Sequence, residues 1–362
     1  MGINARPDTM HAWRKHKGNT EPVWEILPVP STPPDGLLIK LLASGVCHSD
    51  QPLLDIEDRL NFNERYILGH EGCGEIVEIG EEISDSRFQV VSKTSTTPKI
   101  LVTDGIIKFR AAEWLSWLFR AADSQTAPSA RATYHSFALL ACTMVLVKTD
   151  SMQTPAVAAV ATDAVTTAYH GITRRAEVKR EEIIFLFGLG GLGFNALQIV
   201  RHIGARVIVS DLRQEKLDAA LALGVPQEDI VPVGTSVQAF VQESGLQGKI
   251  DTVLEFVGKH QTFQDAQQIV RLGGKILCVG TLDRTNELDM KNGIRKRLSI
   301  IFTYGGQQRD LVEVLDLIAR KVIQPQVEIG RLCDFPTVLK ALGDGKIRDR
   351  VALVSDLVAR DG

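Results

Sequence analysis

The sequence predicts an α/β protein of two domains, a mostly antiparallel, barrel-like domain followed by a doubly wound parallel sheet. Three observations carry that prediction. Residues 24–85 break into short strand-like runs between Gly and Pro punctuation, residues 165–305 alternate strand-like and helix-like text, and residues 183–211 read as strand, glycine turn, helix, strand and acid. At 362 residues each of two domains can bury its own core. The expected division is 1–164 with 307–362 for the first domain and 165–306 for the second.

Composition narrows the class. Hydrophobic content of 44% with 23% charge is that of a soluble globular protein, and a formal net charge of −3 without long blocks of one sign gives no ground for nucleic acid binding. The five cysteines, Cys47, Cys73, Cys142, Cys278 and Cys333, are odd in number and form no framework, which fits a reducing compartment. The first 18 residues lack an apolar signal region, and Arg6 stands where a myristoylation motif needs Ser or Thr. The longest apolar run, 137–147, is too short to span a bilayer. A soluble, cytoplasmic protein without membrane partners is expected.

In the first domain the runs 37–43 and 74–79 are strand candidates. Two short segments stand out around them, Gly45-Val46-Cys47-His48-Ser49-Asp50 and Gly69-His70-Glu71-Gly72, and a third, 162–171, lies just before the second domain. A lone Cys or His is ordinarily a packing or surface residue. Farther along, Trp114, Trp117, Leu118, Ala121 and Ala122 recur at helical spacing, which predicts an amphipathic helix over 108–122.

The second domain opens on the apolar run 183–187 and Gly188-x-Gly190-x-x-Gly193, with Gly191 and Leu192 completing the loop. Gly188 permits a tight turn, Gly190 lets backbone approach a pyrophosphate, and Gly193 lets the following helix lie close on the strand with its N-terminus toward the phosphates. Asp211, 18 residues past Gly193, can accept from both hydroxyls of an adenosine ribose and would repel a 2′-phosphate, so NAD(H) is favoured over NADP(H). Arg213 tempers that choice. The runs 251–258 and 275–280 read as buried strands ending in glycine at the edge where open parallel sheets bind ligands, 298–304 as a further strand, and 311–320 as the helix returning to the first domain.

Taken together, GVCHSD, GHE, DAVTTAYHG and GLGGLG with Asp211 resemble the medium-chain zinc-dependent alcohol dehydrogenases. The resemblance implies a GroES-like catalytic domain and a Rossmann domain. It implies one catalytic Zn²⁺ held by Cys47, His70 and Asp163, with Glu71 able to enter or leave the metal's shell. One thiolate, one imidazole and one carboxylate fill three tetrahedral positions and leave the fourth open. By the same resemblance Asp50 orients the histidine ligand, His48 lies near the pyrophosphate, and Ser49 takes the alcohol's proton. Pro52 stands where many members end that proton relay with a histidine. Lys216 would touch the adenosine ribose, Val257, Gly280 and Thr281 would lie toward the nicotinamide, and Arg350 would pair with the pyrophosphate.

One stretch departs from the family. Residues 92–135 contain no cysteine, so the family's four-cysteine lobe is missing and no structural zinc is expected. The activity implied is hydride transfer between a small alcohol, aldehyde or ketone and NAD(H), in a homodimer or homotetramer, with Asp163 hinting at a secondary alcohol. Rival readings are a zinc-free reductase of enoyl or quinone substrates in the same superfamily and a catalytically silent nucleotide-binding homologue.

Overall fold

The computed structural model describes residues 7–51, 54, 65–84, 143–146 and 153–355. The helix expected over 108–122 and Pro52 lie outside them. The chain divides into two compact units, Met1–Thr162 with Val327–Gly362, and Asp163–Gln326.

In the first unit, strands β1 (Thr9–His16) and β2 (Val23–Pro28) pair antiparallel, and β1 pairs antiparallel with the short β4 (Arg65–Ile67) on its other side. Trp13 faces Trp24 across β1 and β2 with ring centroids 5.0 Å apart, and Trp13 also packs on Phe335 at 6.5 Å. Strand β1 lies upstream of the strand-like text read from residue 24. Its outer half, Arg14-Lys15-His16, hides the pattern, yet Lys15 is buried with its ammonium on the His16 carbonyl. A second sheet holds β3 (Leu37–Val46) antiparallel to β5 (Glu71–Ile79), which in turn runs parallel to β6 (Thr143–Leu146). Leu37, Leu42, Ala43, Val46, Cys73 and Ile76 are buried apolar positions of β3 and β5. Both strands begin or end on the chemistry-bearing segments, since β3 runs straight into Cys47 and β5 starts on Glu71 directly after His70.

The second unit is built on five parallel strands, β7 (Ile183–Phe187), β8 (Arg206–Ser210), β9 (Ile250–Glu255), β10 (Val270–Cys278) and β11 (Ser299–Phe302), in the spatial order β11-β10-β9-β7-β8. Near-continuous apolar text suits strands covered on both faces. Phe185, Phe187, Ile208, Val253 and Ile276 form one buried cluster, each side chain contributing about 2–3 kcal/mol by removal from water. The chain leaves β7 for β8 on one side and then crosses back to β9 on the other, so the strand order reverses beside β7. At such a switch point the carboxyl ends of the strands open a crevice for ligands.

The chain returns to the first unit at Val327, later than the expected 307. The helix Gln308–Ala319 stays with the second unit because its Asp310 and Glu313 bind groups on the segment after Thr166: Nδ1 of His170 lies 2.7 Å from Asp310, Arg174 donates to Asp310 and Glu313, and the Tyr169 hydroxyl donates to Glu313 at 2.6 Å. After it, β12 (Val327–Arg331) and β13 (Arg350–Val354) join the first unit's larger sheet, giving the order β12-β13-β3-β5-β6 with β13 antiparallel to β3. Among the described residues no helix is long and apolar enough to cross a membrane.

Candidate active site

Cys47 follows β3 directly and caps a single helical turn, His48–Asp50, whose geometry folds Asp50 back beneath it. The Asp50 carboxylate is fully buried. One oxygen accepts the Cys47 backbone N–H at 3.1 Å and the other lies 3.1 Å from Nδ1 of His70. A carboxylate offers only acceptors, so in the neutral ring Nδ1 is the protonated nitrogen of His70 and Nε2 carries the lone pair. One acid thus fixes the backbone of one candidate ligand and the tautomer of the next. The Ser49 hydroxyl sits 3.0 Å from Sγ of Cys47.

Asp163 arrives on a different element. The helical run that begins at Gln153–Val160 widens into a π-turn over Ala161–Val165 and tightens again over Thr166–His170. Asp163 is where the second unit starts, but the helical backbone reaches it from Val160 without a break. π-Turns recur at functional sites because the extra residue redirects a side chain that regular helix would aim elsewhere. Thr167, one turn on, donates to the Asp163 carboxylate at 2.6 Å.

Cys47, His70, Glu71 and Asp163 each offer one donor atom, and all four atoms lie within 4.8 Å of one another. A thiol, an imidazole and two carboxyls in that space match the donor preferences of zinc. Glu71 is buried and receives a hydrogen bond from the Arg350 guanidinium, itself 5% exposed. A Cβ at position 45 would strike the Glu71 carboxyl, so Gly45 is what leaves room for it. Arg350, expected at a pyrophosphate, donates to Glu71 inside the first unit. Although His48 keeps exposed surface, desolvation of its ring and the nearby Arg350 charge lower its pKa.

In the second unit the glycine loop follows β7 as expected. Gly188 adopts φ +83°, a left-handed backbone that other residues rarely take, and a Cβ there would sit 2.7 Å from Val257. A Cβ at Gly193 would run into the Gly188 carbonyl, which is the close helix-on-strand packing inferred from the motif. At Gly190 a Cβ would meet nothing within 4 Å, leaving open space over the loop, as a pyrophosphate needs. Asp211 closes the turn. Its Oδ2 accepts the Leu189 N–H at 2.7 Å and its Oδ1 the Arg213 N–H at 2.9 Å. The lone pairs left over can still accept from ribose hydroxyls. Lys216 is buried with its ammonium 5.8 Å from the Phe194 ring centre. Gly191 and Leu192 lead into the helix Gly193–Ile203.

Two participants were not singled out from the sequence. Thr167 carries a readable signal, a hydroxyl at i+4 from a carboxylate on one helix face. Glu255 does not, since its partners are the Val257 and Gly258 N–H groups and the Thr262 hydroxyl, which only the folded loop gathers.

A family model described as an alcohol dehydrogenase GroES-like domain matches residues 33–94, and one described as a zinc-binding dehydrogenase matches residues 191–320, more than half of the chain between them. An alcohol dehydrogenase of Rhizobium meliloti (strain 1021) is 24% identical over 331 residues, covering 91% of this chain and 94% of its own. Alcohol dehydrogenase 1 of Emericella nidulans is 25% identical, covering 91% and 93%. Among solved structures, acetophenone reductase from Geotrichum candidum in complex with NAD superposes with a TM-score of 0.73 at 24% identity, covering 97% of this chain and 98% of that one. With the glycine loop, the matched domains and the gathered donor set in agreement, the chain belongs to the medium-chain, zinc-type alcohol dehydrogenase family.

Proposed function

We propose that this protein is a zinc-dependent oxidoreductase that interconverts a small alcohol and its aldehyde or ketone with NAD(H). The observation that supports the reading most is the meeting of Cys47, His70, Glu71 and Asp163 donor atoms within 4.8 Å. Zinc in that donor set would polarise an alcohol or carbonyl oxygen and favour its anionic form, and a bound nicotinamide would exchange the hydride.

The chain's own residues supply the rest. Cys47, His70 and Asp163 are the proposed ligands, with Glu71 held back by Arg350 and available as a fourth. Asp50 sets the Nδ1–H tautomer of the neutral His70 ring, and Thr167 restrains one Asp163 oxygen. Ser49, beside Sγ of Cys47, is the proposed acceptor of the alcohol's proton. Asp211 at the end of β8 favours NAD(H), because its charge opposes a 2′-phosphate. The carboxylate ligand Asp163, as in the secondary-alcohol branch, and the ketone in the name of the Geotrichum candidum enzyme point to a secondary alcohol or ketone.

A second copy is proposed along the edge strand β11, where Phe302 is 72% and Tyr304 85% exposed. The activity is tested by a screen of alcohols and ketones with NAD(H), on wild-type protein and Cys47→Ala, with zinc measured on the same samples. Turnover lost in Cys47→Ala together with zinc is the expected result. NADH oxidation indifferent to phenanthroline would replace the reading with a zinc-free reductase, and NADH binding without turnover would make the chain a silent homologue.

A further inference from the structure

Glu255, the last residue of β9, carries a side chain that neither the metal chemistry nor the glycine loop uses. It is 2% exposed. Its Oε1 accepts the Val257 N–H at 3.1 Å, the Gly258 N–H at 2.9 Å and the Thr262 hydroxyl at 2.8 Å, and its Oε2 accepts the Gly258 N–H at 2.8 Å. The carboxyl is thus wrapped by the loop that follows its own strand. Burial raises its pKa while these donors oppose the rise, and together with burial of the thiol its charge pushes Cys278 up to about 12.

That loop is joined to the one after β10. The Glu255 carbonyl accepts the N–H groups of Val279 and Gly280 at 2.9 and 3.1 Å, the Gly258 carbonyl accepts Asp283 N–H at 2.8 Å, and the Asp283 carboxylate accepts His260 N–H at 2.8 Å. Gly258, at φ +78°, and Gly280 lie backbone against backbone, since a Cβ on either would strike the other loop. Val257 meanwhile is the residue against Gly188, so the joined loops border the glycine turn.

The sheet order says which half of a dinucleotide this wall serves. Asp211 ends β8 on one side of β7, whereas β9 and β10 lie on the other. With pyrophosphate over the glycine turn and adenosine ribose at Asp211, the remaining half of the ligand extends toward the loops after β9 and β10. We propose that Glu255 is a positioning residue, whose carboxylate holds these two loops as the wall for the nicotinamide half of the dinucleotide. This rests on the dinucleotide reading above.

The experiment measures Kd for NADH and for ADP-ribose, which lacks the nicotinamide, on the full-length zinc-loaded protein and on Glu255→Ala, Glu255→Gln and Thr262→Val, with zinc content and Tm as controls. Glu255→Ala is expected to weaken NADH about tenfold or more, the scale set by leaving buried N–H groups without an acceptor, while ADP-ribose and zinc change little. Glu255→Gln should recover much of the loss, because an amide oxygen can replace Oε1 and its three donors. Equal NADH affinity in wild type and Glu255→Ala, or equal weakening of NADH and ADP-ribose, would overturn the proposal. Should Glu255→Ala not fold, Thr262→Val decides: selective weakening of NADH supports the wall and unchanged NADH binding removes it. Wild-type protein binding neither ligand would bring down the dinucleotide reading and this inference with it.

Discussion

Asp50 and His70 are joined side chain to side chain, with Nδ1 of the imidazole 3.1 Å from a carboxylate that has no exposed surface. The same carboxylate holds the Cys47 backbone N–H. Asp50→Ala would remove this acceptor from both groups. Zinc affinity, measured by competition with a chromogenic chelator, should fall about 10–100-fold, as for other partners of metal-bound histidines. Unchanged affinity would show that the pair is only packing.

Thr167 plays the corresponding part for Asp163, across one helical turn at 2.6 Å. Thr167→Val keeps the shape and removes the donor. We expect a stability loss of about 1 kcal/mol in denaturant unfolding, together with weaker zinc retention under chelator. A stability loss with zinc retention unaltered would assign the hydroxyl to folding alone.

Cofactor choice is read at Asp211. Asp211→Ala removes the charge opposing a 2′-phosphate and leaves Arg213 beside the site. The ratio of kcat/KM for NADPH over NADH should rise about tenfold or more, equivalent to about 1.4 kcal/mol. Because Asp211 also braces the Leu189 N–H, affinity for NADH should fall in the same variant.

Acid stability of the second unit turns on Asp310. Although burial alone would raise its pKa, the Gln307 N–H, Arg174 and His170 hold it below its ordinary value of 3.8. A carboxyl with a depressed folded pKa contributes stability that is present above the unfolded value and lost as pH falls through the folded one. Stability should therefore drop below about pH 3.8, where the unfolded chain takes up the proton first. Asp310→Asn should flatten that acid limb in thermal unfolding followed against pH.

Much of this is legible in the sequence. The strand, glycine loop and acid from Ile183 to Asp211 are set by local requirements, a left-handed turn at Gly188 and close packing at Gly193, and local requirements leave marks in sequence. The candidate ligands were legible through resemblance, and the fold brings their donor atoms together. Other features depend on partners far along the chain. Strand β1 is hidden by Arg14-Lys15-His16, whose place in a sheet depends on Val23 and on β4. The late return at Val327 follows from Asp310 and Glu313 meeting Tyr169, His170 and Arg174, a match that no periodicity records. Arg350 looked like a phosphate ligand by position, and only the fold shows it against Glu71.

The central claim is that Cys47, His70 and Asp163, with Glu71 beside them, hold one catalytic metal ion. The direct measurement is metal content of the purified full-length protein by mass spectrometry, set beside Asp163→Ala. About one zinc per wild-type chain, with most of it lost in Asp163→Ala, is the predicted result. Wild-type protein that stays folded and turns over substrate with no zinc, or Asp163→Ala that keeps a full equivalent, would contradict it.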